Sequence, residues 1–437
     1  TNMEYEVYDD PTRVVITTEW GEKKVASIKR DTQVRYQGGV KSPVLTEVKK
    51  SDKVTVLEDE NDWMKVATKD GFIGYVKTNA LNSVEKELVS RDYEEPEYTN
   101  ISENYTINMA WHNVSNADAN SYILETIAST KGLNTIAPTW FSLADTEGNI
   151  TSLADADYVN YAHQSNLEVW AVLRDFHGGI NSYEETYQVL SYTSKRAKLI
   201  NQVISKALET DVDGINLDFE LVSDECGPHY VQFVRELSVK CRQNGLVFSV
   251  DNYVPQPYNA HYDIEEQAAV ADYVVVMGYD EHTEGSYEAG SVASISYLQD
   301  GIEKTLKKVS ADKVIAGIPF FTRLWFETAK SPEQLSEEAG TEAASYPNKV
   351  SSKALGMEEA AQSVVNAGAT AQWDEKTQQN YAKWSADGGT YRIWLEDAQS
   401  LEAKLKVIQG NKLAGVAEWS LGREESSVWK LISQYVN

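Results

Sequence analysis

Cysteine is nearly absent from this 437-residue chain. Only Cys226 and Cys241 occur, so there is no disulfide framework and no metal cluster of the CxxC kind, and whether the two pair is open at this level. The six histidines fall into no HExxH or similar spacing; no metal site and no cofactor are expected. No run of eighteen apolar residues exists, which removes a membrane span. Positive charge is also scarce. Forty Lys and Arg stand against 67 Asp and Glu, a formal net charge of −27, so nucleic acid and anionic membrane, which both need clustered cations, are excluded as partners. The chain opens on Thr1-Asn2-Met3-Glu4 with neither a basic segment nor an apolar one behind it, and any export signal is expected to lie outside it.

Aromatic side chains, by contrast, are plentiful, with 11 Trp and 25 Tyr. Many must fill core, but flat aromatic faces also suit the C–H faces of sugar rings. Between Asp31 and Leu81 short alternating runs appear at Val34 to Tyr36, Val44 to Val48, Lys53 to Leu57, Trp63 to Ala67 and Phe72 to Val76, with turn chemistry at Gly38-Gly39, Asn61-Asp62 and Asp70-Gly71. This pattern predicts a small all-β barrel. Its order of strands and turns over residues 31–82 resembles the bacterial SH3-like domain, a resemblance that implies a wall-binding module, with a packing or spacer role as the alternative. Residues 1–30 read as a further β extension of unknown role, through Arg13 to Thr18 and Lys23 to Ile28. Acids dominate residues 83–104, with Glu94-Glu95-Pro96-Glu97 as the clearest break, so a linker is expected there.

From residue 105 to 437 apolar strands alternate with helical stretches, the pattern of a parallel sheet with crossover helices. Eight strands are predicted: Thr106 to Ala110, Thr135 to Trp140, Glu168 to Leu173, Gly214 to Phe219, Leu246 to Val250, Tyr273 to Met277, Val314 to Ile318 and Gly415 to Trp419. That number fits a closed (β/α)8 TIM barrel of the α/β class, whose active groups sit where strands end. Helices are expected over Ser194 to Glu209 and Pro228 to Asn244. The interval between the seventh and eighth strands exceeds what one connection needs, so an inserted lobe is placed at about residues 325–400. It carries Trp373, Tyr381, Trp384, Tyr391 and Trp394, which are core or one wall of a cleft.

One segment carries the chemistry: Asp213-Gly214-Ile215-Asn216-Leu217-Asp218-Phe219-Glu220. Ile215, Leu217 and Phe219 alternate with Asn216, Asp218 and Glu220, so a strand puts two acids and an amide on one face. At about 3.3 Å per residue the Cα atoms of Asp218 and Glu220 lie roughly 6.6 Å apart, close enough for one carboxylate to raise the proton affinity of the other. That is how a general acid is made. Solvated acids at an exposed strand end are the bland alternative; the apolar surroundings at Ala207, Leu208 and Val212 argue against it.

The same eight residues resemble the DGxDxDxE signature of family 18 glycoside hydrolases, the chitinase-like enzymes. Met277-Gly278-Tyr279-Asp280 after the sixth strand, Gly317-Ile318-Pro319 with Arg323 at the seventh, and Trp419 ending the eighth extend the likeness over most of the second domain. Ala137-Pro138-Thr139-Trp140-Phe141-Ser142, Gly278-Tyr279-Asp280-Glu281-His282 and Trp394-Leu395-Glu396-Asp397-Ala398 are similar to the bacterial spore-cortex and cell-wall branch. Two positions depart from the pattern. Asn216 stands where the family commonly has Asp, so a proton cannot be shared there and the amide is expected to hold Asp218 by a hydrogen bond; Phe321 stands where many chitinases have Tyr.

The resemblance implies retaining hydrolysis in which the substrate's own 2-acetamido oxygen is the nucleophile. Glu220 would be the general acid and later the base. Asp218 would orient the acetamido N–H, and Tyr279 would hydrogen-bond its oxygen. Trp419 would floor the distorted sugar, Asn216, Met277, Asp280 and Arg323 would line the cleft, and Trp140 would stack a neighbouring sugar. A secreted, envelope or spore-wall N-acetylglucosaminidase acting on peptidoglycan is thereby expected. Chitin oligosaccharides as substrate, or a non-catalytic lectin of the same fold, are the alternatives.

Overall fold

The computed structural model describes residues 4–7, 14–17, 21–89 and 100–436, which fall in two compact units, Thr1–Glu97 and Tyr98–Asn437. In the first, Thr32–Arg35, Val44–Val48, Lys53–Glu60, Trp63–Thr68 and Ile73–Lys77 form five strands of a seven-stranded antiparallel sheet. Each lies within a few residues of its predicted place. Val34, Val54, Val56, Met64, Val66 and Val76 are buried together, as strict alternation requires. Asn61 takes the positive φ of 56° that a tight hairpin turn asks for.

The sheet reaches further than residues 31–82. Gly21–Ser27 pairs with Lys53–Glu60 on one side and with Glu85–Val89 on the other. This last strand falls in the segment expected to be a linker, and the correction has an electrostatic reason. Glu87 pairs with Lys53 and Lys86 with Glu22, so alternating charges that read as a solvated spacer answer charges elsewhere in the same sheet. Val14–Thr17 pairs with Glu4–Val7. Arg13, Thr18 and residues 90–99, with the Glu94-Glu95-Pro96-Glu97 break, lie outside the described residues.

In the second unit eight parallel strands close on themselves: Ile107–His112, Thr135–Pro138, Glu168–Arg174, Gly214–Asp218, Val247–Tyr253, Tyr273–Met277, Val314–Pro319 and Gly415–Trp419, the eighth pairing with both the seventh and the first. The TIM barrel is therefore as predicted, with strand ends shifted by up to three residues. Side chains alternate between two cores. Met109, Trp111, Trp170, Val275 and Ala417 fill the inside, while Ala110, Val274, Val276 and Val416 face the helices, which is why strands such as Tyr-Val-Val-Val-Met are apolar on both faces. Helices Thr193–Thr210 and Gly227–Gln243 match expectation within a residue or two, the usual ambiguity of helix ends. Ile101 N–H donates to Asp272 and Glu103 N–H to the Tyr273 hydroxyl, so the end of the expected linker is latched to the barrel. Cys226 and Cys241 are both buried free thiols.

Between the seventh and eighth strands, Phe321–Ala329, Asn348–Gly356, Gln372–Asp374, Gln379–Ala386 and Gly389–Leu395 build a five-stranded antiparallel lobe, with helix Met357–Asn366 packed on it through Ala360 and Val364. Its aromatics pair across strands. Tyr381 lies 4.7 Å from Trp394 and Trp384 stacks on Tyr391 at 5.4 Å, in register in both cases, and these pairs stabilise the sheet. The lobe is keyed to the barrel by a buried chain of contacts. The Ser291 hydroxyl donates to Gln379, the Gln379 amide donates to Glu396, and Lys404 donates to both oxygens of Glu396 at 2.9 Å.

Candidate active site

Strand four begins with two residues whose work is structural. The Asp213 carboxylate accepts from Val169 N–H at 2.7 Å and sits 2.8 Å from His163 Nε2, pinning strand four to strand three. At Gly214 a Cβ would come within 2.8 Å of both the Trp170 ring and the Val247 carbonyl, so only glycine fits this approach. With the strand fixed at its base, Asn216, Asp218 and Glu220 emerge in turn toward the C-terminal mouth.

There a cavity is lined by Asp218, Glu220, Met277, Tyr279, Asp280 and Trp419, all expected, together with residues from three other strand ends. Glu220 is held at two points. Asp175 accepts the backbone N–H groups of Glu220 and Leu221, each at 2.9 Å, and the Tyr253 hydroxyl donates to the Glu220 carboxylate. Burial raises the Glu220 pKa above the carboxylate norm, against the pull of Tyr253, and nearby Asp280 adds to the rise. Asp218 is buried, with its Oδ1 unpartnered; burial first, and then the charges of Glu220, Asp251 and Asp175, push it well up. Asp280, at φ 60°, is raised by burial and drawn back by Arg323. In all three, removal from water is the first cause of the rise.

Asn216 does not hold Asp218. Its carbonyl accepts the Trp111 indole N–H at 3.0 Å, and its amide donates to Ser249 at 2.9 Å and Asp251 at 2.7 Å. The amide is spent on strands one and five because Ser249 stands in register beside Asn216 on the adjacent strand and the Trp111 indole reaches it across the barrel. Burial pushes Asp251 up to about 8. Tyr279 lies edge-on to Trp111 at 6.4 Å and to Phe321 at 6.2 Å. Trp419 is half-buried, 5.9 Å from Trp111. Arg323 donates to Ser352 of the lobe at 2.9 Å, with its Nε unpartnered.

Trp140 is elsewhere. It is 1% exposed in the layer between barrel and helices, with its indole N–H on Asn120 at 2.9 Å and its ring edge-on to Tyr158 at 4.9 Å. The second strand stops at Pro138, and Thr139 bonds the Val114 N–H; past that latch the chain directs Trp140 outward from the barrel, so it stacks no sugar. The residues missed by sequence reasoning are Trp111, Arg174, Asp175, Phe176, His177, Asp251 and Tyr253. A signal for them existed. Arg174-Asp175 and Asp251-Asn252-Tyr253 directly follow predicted barrel strands, where active groups gather.

Such a mouth, with a positioned carboxyl beside a second unpartnered one, is the equipment of a glycosidase, and the comparisons agree. The profile of glycosyl hydrolases family 18 matches residues 98–424 and that of the bacterial SH3 domain residues 31–82. The chain therefore belongs to glycoside hydrolase family 18, and it is a glycosidase carrying a bacterial SH3 domain. It is 26% identical over 311 residues to the Bacillus subtilis protein described as the uncharacterized glycosylase YvbX, covering 69% of this chain and 84% of that one. It is also 26% identical to the cortical fragment-lytic enzyme of Bacillus subtilis, over 57% of this chain and 56% of that protein; the match thus spans little more than half of that relative. The crystal structure of the Bacillus cereus spore cortex-lytic enzyme SleL superposes with a TM-score of 0.64 at 19% identity, over 81% of this chain and 77% of that one, a likeness of fold.

Proposed function

We propose that this enzyme cleaves β-linked N-acetylglucosamine polymer, with peptidoglycan as its substrate, by retaining hydrolysis in which the substrate's acetamido group is the nucleophile. The observation that carries the reading is the pairing of two unlike carboxyls at one strand end. Asp218 has a buried oxygen without a partner, and Glu220 is fixed by Asp175 and Tyr253 beside it.

Glu220, with its proton retained by burial, donates to the leaving glycosidic oxygen. Asp218 takes the acetamido N–H on its free Oδ1, which aims the acetamido oxygen at the anomeric carbon. The Tyr279 hydroxyl fixes that oxygen, so attack begins from a near-attack geometry. As the oxazolinium ion forms, Asp218 balances its positive charge in a site of low dielectric. Glu220, now ionised, draws a proton from water to open the ring with net retention. Met277, Asp280 and Trp419 form the walls and floor, and Arg323 acts through Asp280. Asn216 serves by orienting Asp251 and Trp111.

The SH3 domain over residues 31–82 tethers the enzyme to wall polymer, and the catalytic unit begins near residue 105. A secreted, envelope or spore-wall location follows from such a substrate, in keeping with relatives named for cortex lysis. Mass spectrometry of products from purified peptidoglycan and from chitin oligosaccharides, with wild type and Glu220→Gln, tests the reading. Reducing N-acetylglucosamine ends released from peptidoglycan by wild type alone are expected. Cleavage of chitin only would overturn the substrate. Binding of either polymer without cleavage would make the chain a lectin.

A further inference from the structure

One wall of the cavity is not used by the hydrolysis described above. Arg174 ends the third barrel strand in register with Asp218, so the two side chains rise side by side from adjacent strands. Arg174 is 8% exposed. Its Nε donates to the Ser142 hydroxyl at 3.0 Å, and its Cζ lies 5.6 Å from the Phe176 ring centre; that ring meets His177 edge-on at 5.0 Å. Among the described residues the bond to Ser142 is its only hydrogen bond, and no carboxylate is ion-paired with it. Four N–H donors of the guanidinium therefore have no protein partner beside the cavity they line.

Such a group is open to acceptors that a ligand brings, and its planar fork fits a carboxylate. Chitin has no carboxylate. In a peptidoglycan glycan stripped of its stem peptides, N-acetylglucosamine alternates with muramic acid, whose 3-oxygen carries a lactyl ether ending in one; with the peptide attached that carboxyl is an amide. We propose that Arg174, with Phe176 and His177 beside it, is a specificity-determining residue that receives the lactyl carboxylate of the muramic acid next to the N-acetylglucosamine held over Asp218. This rests on the hydrolase reading above and directs it to peptidoglycan strands already freed of their stem peptides.

The electrostatics agree. Burial pushes Asp251 up to about 8, so this acid is mostly protonated at neutral pH and repels an anionic sugar little. Desolvation and the charge of Arg174 lower the His177 pKa. His177 is then neutral, and Arg174 is the one full positive charge in the cavity lining.

Three tetrasaccharides separate the possibilities: alternating N-acetylglucosamine and muramic acid with free carboxylates, the same glycan amidated, and chitin tetraose. With wild type, kcat/KM is expected to favour the free acid over its amide by about tenfold or more, the scale of one charge-assisted contact. Arg174→Gln brings that ratio near one, chiefly through KM, and Arg174→Lys retains part of it. An unchanged ratio in Arg174→Gln overturns the proposal, because a role confined to supporting Asp218 lowers turnover of all three glycans alike. Calorimetric binding of the same glycans to Glu220→Gln, with and without Arg174→Gln, makes the test independent of turnover. Wild type that cleaves none of the three sinks the hydrolase reading; absence of an Arg174-dependent preference in binding sinks this one.

Discussion

Two regions of the catalytic unit bury ionisable groups, and they treat them in opposite ways. At the junction of lobe and barrel, Glu396 and Lys404 are 0% and 1% exposed, and the pair is completed by Gln379 and Ser400. At the barrel mouth Asp218 is buried with an oxygen left over, and both Glu220 and Asp218 are raised in pKa. A saturated network specifies how segments dock, since any displaced member strands a charge. An unsaturated one is poised for an outside partner. The difference teaches which buried charges to read as architecture and which as chemistry: the test is what remains unpaired.

The comparison breaks first at Glu220. Replacing it by Gln retains an acceptor for the Tyr253 hydroxyl but removes the transferable proton, so turnover is expected to fall by about 10²–10⁴-fold. The melting temperature is expected to hold or rise. A variant that loses activity only by unfolding would remove Glu220 from the chemical class. The mirror experiment is Lys404→Ala, which strands Glu396 and is expected to cost about 3–5 kcal/mol in urea unfolding. A loss under about 1 kcal/mol, the scale of an exposed pair, would show that water reaches the junction and that the saturated network is not structural.

How much of this division was legible in the sequence depends on reach along the chain. The eight strands were readable because stretches such as Tyr273–Met277 are apolar on both faces between polar turns, and Glu220 because its own strand carries the alternation. What fixes Glu220 was not readable as a contact: Asp175 and Tyr253 come from strands three and five, 45 and 33 residues away in sequence. The partner of Asn216 failed for a related reason. Sequence neighbours on one strand face share a side, but the adjacent strand stands closer still, and Ser249, in register with Asn216, and Asp251 took the amide. In the small domain, Glu85–Val89 read as linker because its strand character resides in charges that only Lys53 and Glu22 answer.

A smaller effect sharpens the chemical side through pH. Burial holds Asp251 near 8, against the Asn216 hydrogen bond and with help from Glu220, whereas an unfolded Asp titrates at about 3.9. The folded chain therefore keeps a proton that the unfolded chain releases. Stability from this group is complete below about pH 4 and is lost as pH rises through about 8. Asp251→Asn has no proton to lose, so between pH 4 and 8 the stability of wild type is expected to fall more steeply than that of the variant, by on the order of 2–4 kcal/mol. Parallel stability curves across this window would mean that Asp251 is ionised in the fold and belongs with the saturated groups.

The smallest test concerns Trp140, a residue whose type fits either region. Its indole N–H is taken by Asn120, itself 4% exposed, and its ring packs against Tyr158 in the outer core. By the criterion of what remains unpaired it is architecture. Phe in its place leaves the Asn120 oxygen without a donor and a small void, for about 1–3 kcal/mol of stability. Because the glycan does not touch it, KM is expected to stay within about twofold of wild type. The opposite outcome, intact stability with a KM raised about tenfold, would put Trp140 in the cleft after all, and a satisfied N–H would no longer mark a side chain as outside the chemistry.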